Sequence, residues 1–185
     1  MTESNVTLYI ATSVDGYIAD DDGGVGWLDE FEEDTENDDI VEAYEEFFDS
    51  VECLVMGATT YEQILGFGEW PYGDLPTYVF THRELPQATD TVEFVAGDVD
   101  SVATELEEQY DHCWLVGGAQ LAREFLRTGH VDDLRLSLIP VLLGSGIPLF
   151  TATDETRRLQ HLDTQTFRSG IVELRYSVEK HHHDE

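Results

Sequence analysis

Apolar and polar residues change their period several times along this chain, and each change marks an element. Val6-Thr-Leu-Tyr-Ile-Ala-Thr12 alternates, with Val6, Leu8 and Ile10 on one face, and predicts a strand. From Asp39 the period lengthens. Ile40, Tyr44, Phe47, Phe48 and Val51 recur every three or four residues and predict an amphipathic helix, with Glu42 three residues past Asp39 in capping-box spacing. Further strands are predicted at Cys53–Met56, Thr77–Thr81, Val92–Ala96 and Cys113–Val116. Helices follow at Gly57, at Asp98 as cap, and after Gly117-Gly118, the last ending at Gly129. Leu134–Leu143 reads as a strand that Pro140 interrupts, so a bulge or an edge position is expected there. The C-terminal segment reads as a hairpin: Gln165–Arg168, a Ser169-Gly170 turn, then Val172, Leu174, Tyr176 and Val178 alternating with Glu173, Arg175 and Ser177. Strand–helix alternation closed by an antiparallel hairpin predicts an α/β fold, a mixed sheet with helices on both faces.

Charge adds a second message. The 185 residues carry 9 Lys+Arg against 40 Asp+Glu, a formal net charge of −31. Eight of the nine basic residues are arginines, and Lys180 is the one lysine. A hydrophobic content of 41% is enough for a core, and one domain spanning residues 1–185 fits the length. So acidic a chain disfavours nucleic acid and anionic membrane surfaces as partners. Neither an apolar run long enough to cross a bilayer nor a basic, apolar leader is visible, and a cytoplasmic location is expected. The acidic excess points to a cytoplasm with molar salt, where a Debye length of about 3 Å screens self-repulsion, rather than to an acidic mesophile protein. Cys53 and Cys113 lie in apolar runs without metal-type spacing, and read as buried core thiols; no metal site is expected. The Lys180-His-His-His tail reads as a frayed terminus.

Candidate chemistry lies where a buried strand runs through glycine into a helix. This happens twice, at Val55-Met-Gly57-Ala-Thr-Thr-Tyr-Glu62 and at Trp114-Leu-Val-Gly117-Gly118-Ala-Gln-Leu. In the first, Thr59 and Glu62 have capping-box spacing, which places free backbone N–H groups at Gly57–Thr60. Glycine lets a ligand approach the main chain closely, and a helix N-terminus attracts phosphate. Two such junctions in one small domain point to nucleotide binding. Neither is a GxGxxG or a Walker loop, so the ordinary dinucleotide-fold and P-loop readings fail.

Taken together, TSVDGYIA (12–19), VMGATTYEQI (55–64), WLVGGAQLAREFL (114–126) and VDDLRLSLIPVLLGSGIPLF (131–150) resemble the dihydrofolate reductase superfamily. Within it the chain is most similar to stand-alone relatives of the riboflavin-pathway deaminase–reductase C-terminal domain, from about Val6 to Val178. The resemblance implies a three-layer fold with a central, mostly parallel mixed sheet, an antiparallel C-terminal hairpin and flanking helices. It also implies an NADPH-dependent oxidoreductase that delivers hydride to a pteridine- or pyrimidine-like small molecule, as 5-amino-6-(5-phosphoribosylamino)uracil reductase does. Dihydrofolate reductase itself, and a non-catalytic NADP(H)-binding protein, are the alternatives. Relatives are often dimers, which makes the hairpin a candidate homodimer contact.

Residue by residue, the resemblance assigns the nicotinamide carboxamide to the main chain of Ala11 and Ile18. It assigns the pyrophosphate to Gly57, Thr59 and Thr60 on one side, and to Gly117, Gly118, Ala119 and Gln120 on the other. Thr81, His82 and Arg83 match the grip on the adenosine 2′-phosphate, where an arginine fork suits phosphate geometry. Ala58 stands where the family often has an arginine, which weakens the expected preference for NADPH over NADH. For the pocket carboxylate of dihydrofolate reductases the candidates are Asp29 and Asp38, with Val41 equally able to occupy that place. Trp27, Phe48 and Ser137 would line the substrate pocket, and Asp15 would act in the first loop, by ordering its turn or by touching substrate. The Asp20–Gly26 loop would close over the nicotinamide. Riboflavin-pathway reductases carry Asp-Asp-Pro after the second strand, and this chain does not, so a ribosyl-phosphate substrate is not implied.

Overall fold

The computed structural model describes residues 5–31, 39–152 and 155–180. Eight strands follow one hydrogen-bonded order, β5-β4-β3-β6-β1-β7-β10-β9, and two short ones, β2 and β8, pair separately. The strands are β1 (Asn5–Ser13), β2 (Tyr17–Ala19), β3 (Cys53–Gly57), β4 (Thr77–Phe80), β5 (Val92–Val95), β6 (His112–Gly117), β7 (Asp133–Ile139), β8 (Ile147–Pro148), β9 (Leu159–Thr166) and β10 (Val172–Val178). The helices are α1 (Asp39–Asp49), α2 (Ala58–Gly66), α3 (Val99–Gln109) and α4 (Ala119–Thr128). The chain divides into two compact units, residues 5–8 with 51–132, and residues 9–50 with 133 onward.

In the first unit β5, β4, β3, β6 and the start of β1 are all parallel. Parallel strands are covered on both faces, so they read as continuous apolar runs: Cys53, Leu54, Val55, Met56 and Leu115 are each fully buried. Cys53 and Cys113 face each other across β3 and β6 as free thiols. Hydrogen bonding to Cys113, with burial, pushes the Cys53 thiol well above its ordinary pKa. Aromatic rings extend the core through edge-on contacts, from Phe94 to Tyr61 (5.6 Å), Tyr61 to Trp70 (5.4 Å), Trp70 to Tyr72 (5.2 Å) and Tyr72 to Trp114 (5.7 Å). α3 starts at the predicted cap, with the Asp98 carboxylate accepting from Ser101 N at 3.1 Å. α4 stops at Gly129, whose φ of 83° is left-handed.

In the second unit β7, β10 and β9 are antiparallel, and the predicted hairpin is present with a first arm that begins earlier, at Leu159. A bulge at Arg175/Tyr176 shifts its register. β7 ends at Ile139, so Pro140 terminates the strand instead of bulging it, as expected of a residue with no N–H for the ladder. α1 lays Phe47 over this part of the sheet, with the Tyr9 ring edge-on at 4.8 Å.

Candidate functional site

The first unit brings its two glycine junctions together. Gly57 pairs with Phe80 and Met56 with Gly117, so the C-terminal ends of β3, β4 and β6 are level. Ligands of open parallel sheets bind at this edge. Gly57 is the N-cap of α2 and Gly118 the N-cap of α4. They are close neighbours, since a Cβ on Gly57 would lie 3.7 Å from Gly118 N and 3.9 Å from Gly117 O. A Cβ on Gly118 would come within 3.2 Å of Thr60 Oγ1. Gly117 has φ 134°, a conformation that side chains rarely adopt, and its peptide bond to Gly118 is cis.

How these helices begin is the informative feature. Neither N-cap makes a side-chain hydrogen bond, and neither first turn carries an acidic residue. α1 has Asp39 and Glu42 in its first turn, and α3 has Asp100 besides its Asp98 cap. In a chain with 40 acidic residues, the two of these four α-helices whose N-termini converge are the two with no acidic residue in the first turn. Their orphan N–H groups and positive dipole ends fit an external anion. The predicted Thr59–Glu62 capping box does not form, because the helix starts one residue before Thr59. Glu62 reaches sideways instead, to Arg83.

Thr81, His82 and Arg83 follow the end of β4 at the same sheet edge. Thr81 N donates to Val95 O (2.9 Å), and Arg83 N donates to Thr81 Oγ1 (3.0 Å), which fixes the turn. The Arg83 guanidinium makes a forked contact with Glu62, Nη1 to Oε1 at 3.2 Å and Nη2 to Oε2 at 2.7 Å. His82 and Gln120 are exposed, and Ala119 is buried as the first residue of α4.

The second unit holds a buried polar network that sequence reasoning missed. Glu173 is 1% exposed, and its Oε1 accepts from Arg135 Nε at 2.6 Å. Oε2 accepts from Tyr9 OH at 2.8 Å and lies 3.4 Å from Ser137 Oγ. Arg135 donates from Nη2 to Ala43 O of α1 (3.1 Å) and lies over the rings of Tyr9 (4.5 Å) and Phe47 (5.1 Å). Burial first, then the Glu173 charge, pushes the Tyr9 hydroxyl well above the usual phenol range. Ser137, expected in the substrate pocket, is part of this network. Alternation puts Glu173 on one face of β10 with Arg175 and Ser177; it pairs with Ser137 and, through Arg135, reaches α1. Arg135, an isolated cation in an apolar strand, was the signal that a buried counter-charge exists.

The remaining candidates are spread over the second unit. The Asp15 carboxylate accepts from Ser13 Oγ (2.6 Å), Leu143 N (3.1 Å) and Gly144 N (2.8 Å). The Ser13 hydroxyl foremost, with these amides, holds Asp15 below the usual carboxylate range, and its visible work is to order two loops. Asp20 closes its own loop by accepting from Gly24 N at 2.7 Å. Trp27 is half-buried, and its Nε1 is buried with no hydrogen-bond partner among the described residues. Phe48 is half-buried and stacks on Tyr44 at 6.1 Å. Ala11 lies within β1 and Ile18 within β2, both half-buried. Asp29 and Val41 are exposed. Asp38 lies outside the described residues, as does the histidine tail. Among the described residues there is no cluster of His, Cys, Asp or Glu able to hold a metal ion, and no helix long and apolar enough to cross a membrane.

Strand order, hairpin and glycine junctions together define a dihydrofolate-reductase-like reductase fold. Within that class the chain belongs to the RibD C-terminal domain family, whose model matches residues 4–173. YwjB, an uncharacterized protein of Bacillus subtilis (strain 168), is 35% identical over 176 residues, covering 94% of this chain and 98% of YwjB. A candidate riboflavin biosynthesis protein from Shewanella sp. PV-4 superposes with a TM-score of 0.84 at 27% identity, over 95% of this chain and 99% of that one. The Thermotoga maritima diaminohydroxyphosphoribosylaminopyrimidine deaminase/5-amino-6-(5-phosphoribosylamino)uracil reductase shares the fold, with a TM-score of 0.71 at 17% identity. The match covers 96% of this chain and 57% of that protein.

Proposed function

We propose that this chain is an NADPH-dependent reductase that transfers hydride to a pteridine- or pyrimidine-like heterocycle, chemistry of the kind used in riboflavin biosynthesis. The observation that carries the reading is the meeting of two uncapped, acid-free helix N-termini at Gly57 and Gly118. That arrangement suits a diphosphate, whose oxygens accept from several backbone N–H groups at once. Membership of the RibD C-terminal domain family supports the dinucleotide as the ligand.

In this reading Gly57, Thr59 and Thr60 bind one phosphate, and Gly117, Gly118, Ala119 and Gln120 the other. Arg83 holds the adenosine 2′-phosphate. The main chain of Ala11 and Ile18 orients the nicotinamide carboxamide, as the family resemblance implies. When bound, the reduced nicotinamide supplies the hydride, so the protein's task is positioning more than acid–base chemistry. The orphan Trp27 indole N–H donates to an acceptor on the heterocycle. The Arg135–Glu173 network keeps the β7–β10 platform and α1 rigid beneath the substrate-side residues.

The test is a fluorescence titration with NADPH, followed by absorbance assays of NADPH oxidation against a panel of pterins and pyrimidines in dilute and in molar KCl. Saturable binding with turnover on at least one heterocycle is expected. Saturable binding without turnover would favour a non-catalytic NADP(H)-binding protein, and absence of binding to folded protein would end the dinucleotide reading.

A further inference from the structure

The Glu62–Arg83 fork occupies the position from which, in the reading above, the chain grips the 2′-phosphate. Arg83 is held at the end of β4 by its turn with Thr81, at the same edge as the glycine junctions. Glu62 is the fifth residue of α2, the helix whose N-terminus forms one side of the cup. Both side chains are substantially exposed, at 57% and 43%, so the pair faces solvent and any incoming ligand.

A guanidinium fork binds carboxylate and phosphate with the same geometry, so Glu62 and a phosphate compete for the same two N–H groups. A 2′-phosphate must displace the carboxylate and then sit beside it as a like charge. A 2′-hydroxyl faces no such conflict, since it donates to the Glu62 carboxylate and leaves the fork intact; an acidic residue performs this task for ribose in other dinucleotide sites. Ala58, at the first position of α2, adds no cation to compensate. An exposed ion pair is weak, so Glu62 shifts the balance between the two ligands without forbidding either.

We propose that Glu62 sets the cofactor choice by competing with the 2′-phosphate for Arg83, so that the chain accepts NADH alongside NADPH. This rests on the dinucleotide reading above, and the experiment separates the two. Dissociation constants for NADPH and NADH are measured by fluorescence titration for the wild type, Glu62→Gln and Arg83→Gln at one fixed KCl concentration, with circular dichroism to verify folding. Glu62→Gln is expected to shift the NADPH:NADH affinity ratio about two- to fivefold towards NADPH. Arg83→Gln is expected to shift it the other way and leave NADH within about twofold, because a hydroxyl needs no cation. Should Glu62→Gln misfold, Glu62→Ala is expected to give the same shift. A wild type that binds both ligands, with a ratio that folded Glu62 variants leave unchanged, overturns the competition. A wild type that binds neither overturns the dinucleotide reading and this inference with it.

Discussion

Replacing Glu173 by Gln keeps the shape of the side chain and removes its charge. The Arg135 side chain, 9% exposed, then stays buried without its counter-ion. Breaking a buried ion pair from one side costs about 3–5 kcal/mol, because the orphaned charge cannot be rehydrated. Arg135 retains Ala43 O and the faces of Tyr9 and Phe47, so the lower end, about 3 kcal/mol, is expected. For a chain of this size that corresponds to a fall in melting temperature of about 6–12 °C. The assay is denaturant unfolding with a parallel thermal scan, in molar KCl so that surface repulsion is screened while the buried pair is not. The double variant Glu173→Leu with Arg135→Met is expected to recover much of the loss, since a packed apolar pair avoids the desolvation penalty. A Glu173→Gln protein within about 1 kcal/mol of wild type, or a double variant no better than the single one, would refute the reasoning.

Four further outcomes follow from the same physical arguments. Gly57→Ala places a methyl group at ordinary contact distance from Gly118 N, 3.7 Å, so stability should change by less than about 1 kcal/mol while NADPH binding weakens at least about tenfold; unchanged binding would count against the cup. His130 bonds Glu107 through Nδ1 (3.0 Å) and Asp100 through Nε2 (2.8 Å); burial opposes its charge, but the two carboxylates outweigh burial and raise its pKa above the ordinary imidazole value. A raised folded-state pKa contributes stability fully below about pH 6.5 and loses it as pH rises through the folded value, so the stability gap between wild type and His130→Gln should shrink from pH 6 to pH 9, and a constant gap would contradict it. With a net charge of −31, the melting temperature should climb between dilute and molar KCl, and light scattering in molar KCl should give a dimer mass if the β9–β10 hairpin pairs two copies; a flat salt profile or a monomer mass would refute the respective expectation.

The parts of the fold legible in the sequence were those where local chemistry and burial agree. The Asp98 cap, the Gly129 stop and the apolar runs of β3 and β6 fall as read, because each is dictated by residues within a turn of itself. The glycine junctions were legible for the same reason. Their convergence came only with the family resemblance, which set both junctions on one pyrophosphate, because no local pattern shows the register between β3 and β6 that brings it about. The burial of Glu173 was not legible, because alternation reveals two faces without saying which one a distant helix covers, and α1 lies some 130 residues upstream. Glu62 fitted a local capping pattern, but a cation brought alongside by β4 won the competition for its carboxylate. β2 and β8, three and two residues long, are too short to show any period.

The positive ends at Gly57 and Gly118 are made of peptide dipoles, and peptide groups do not titrate. Attraction for an anion there persists across the whole pH range in which the helices hold. Neutralising basic side chains one by one, the usual way of mapping a phosphate subsite, would leave these two ends untouched. Evolution and protein engineering face the same constraint, so retuning this edge means moving backbone, by changing the glycines or the lengths of the turns that carry them.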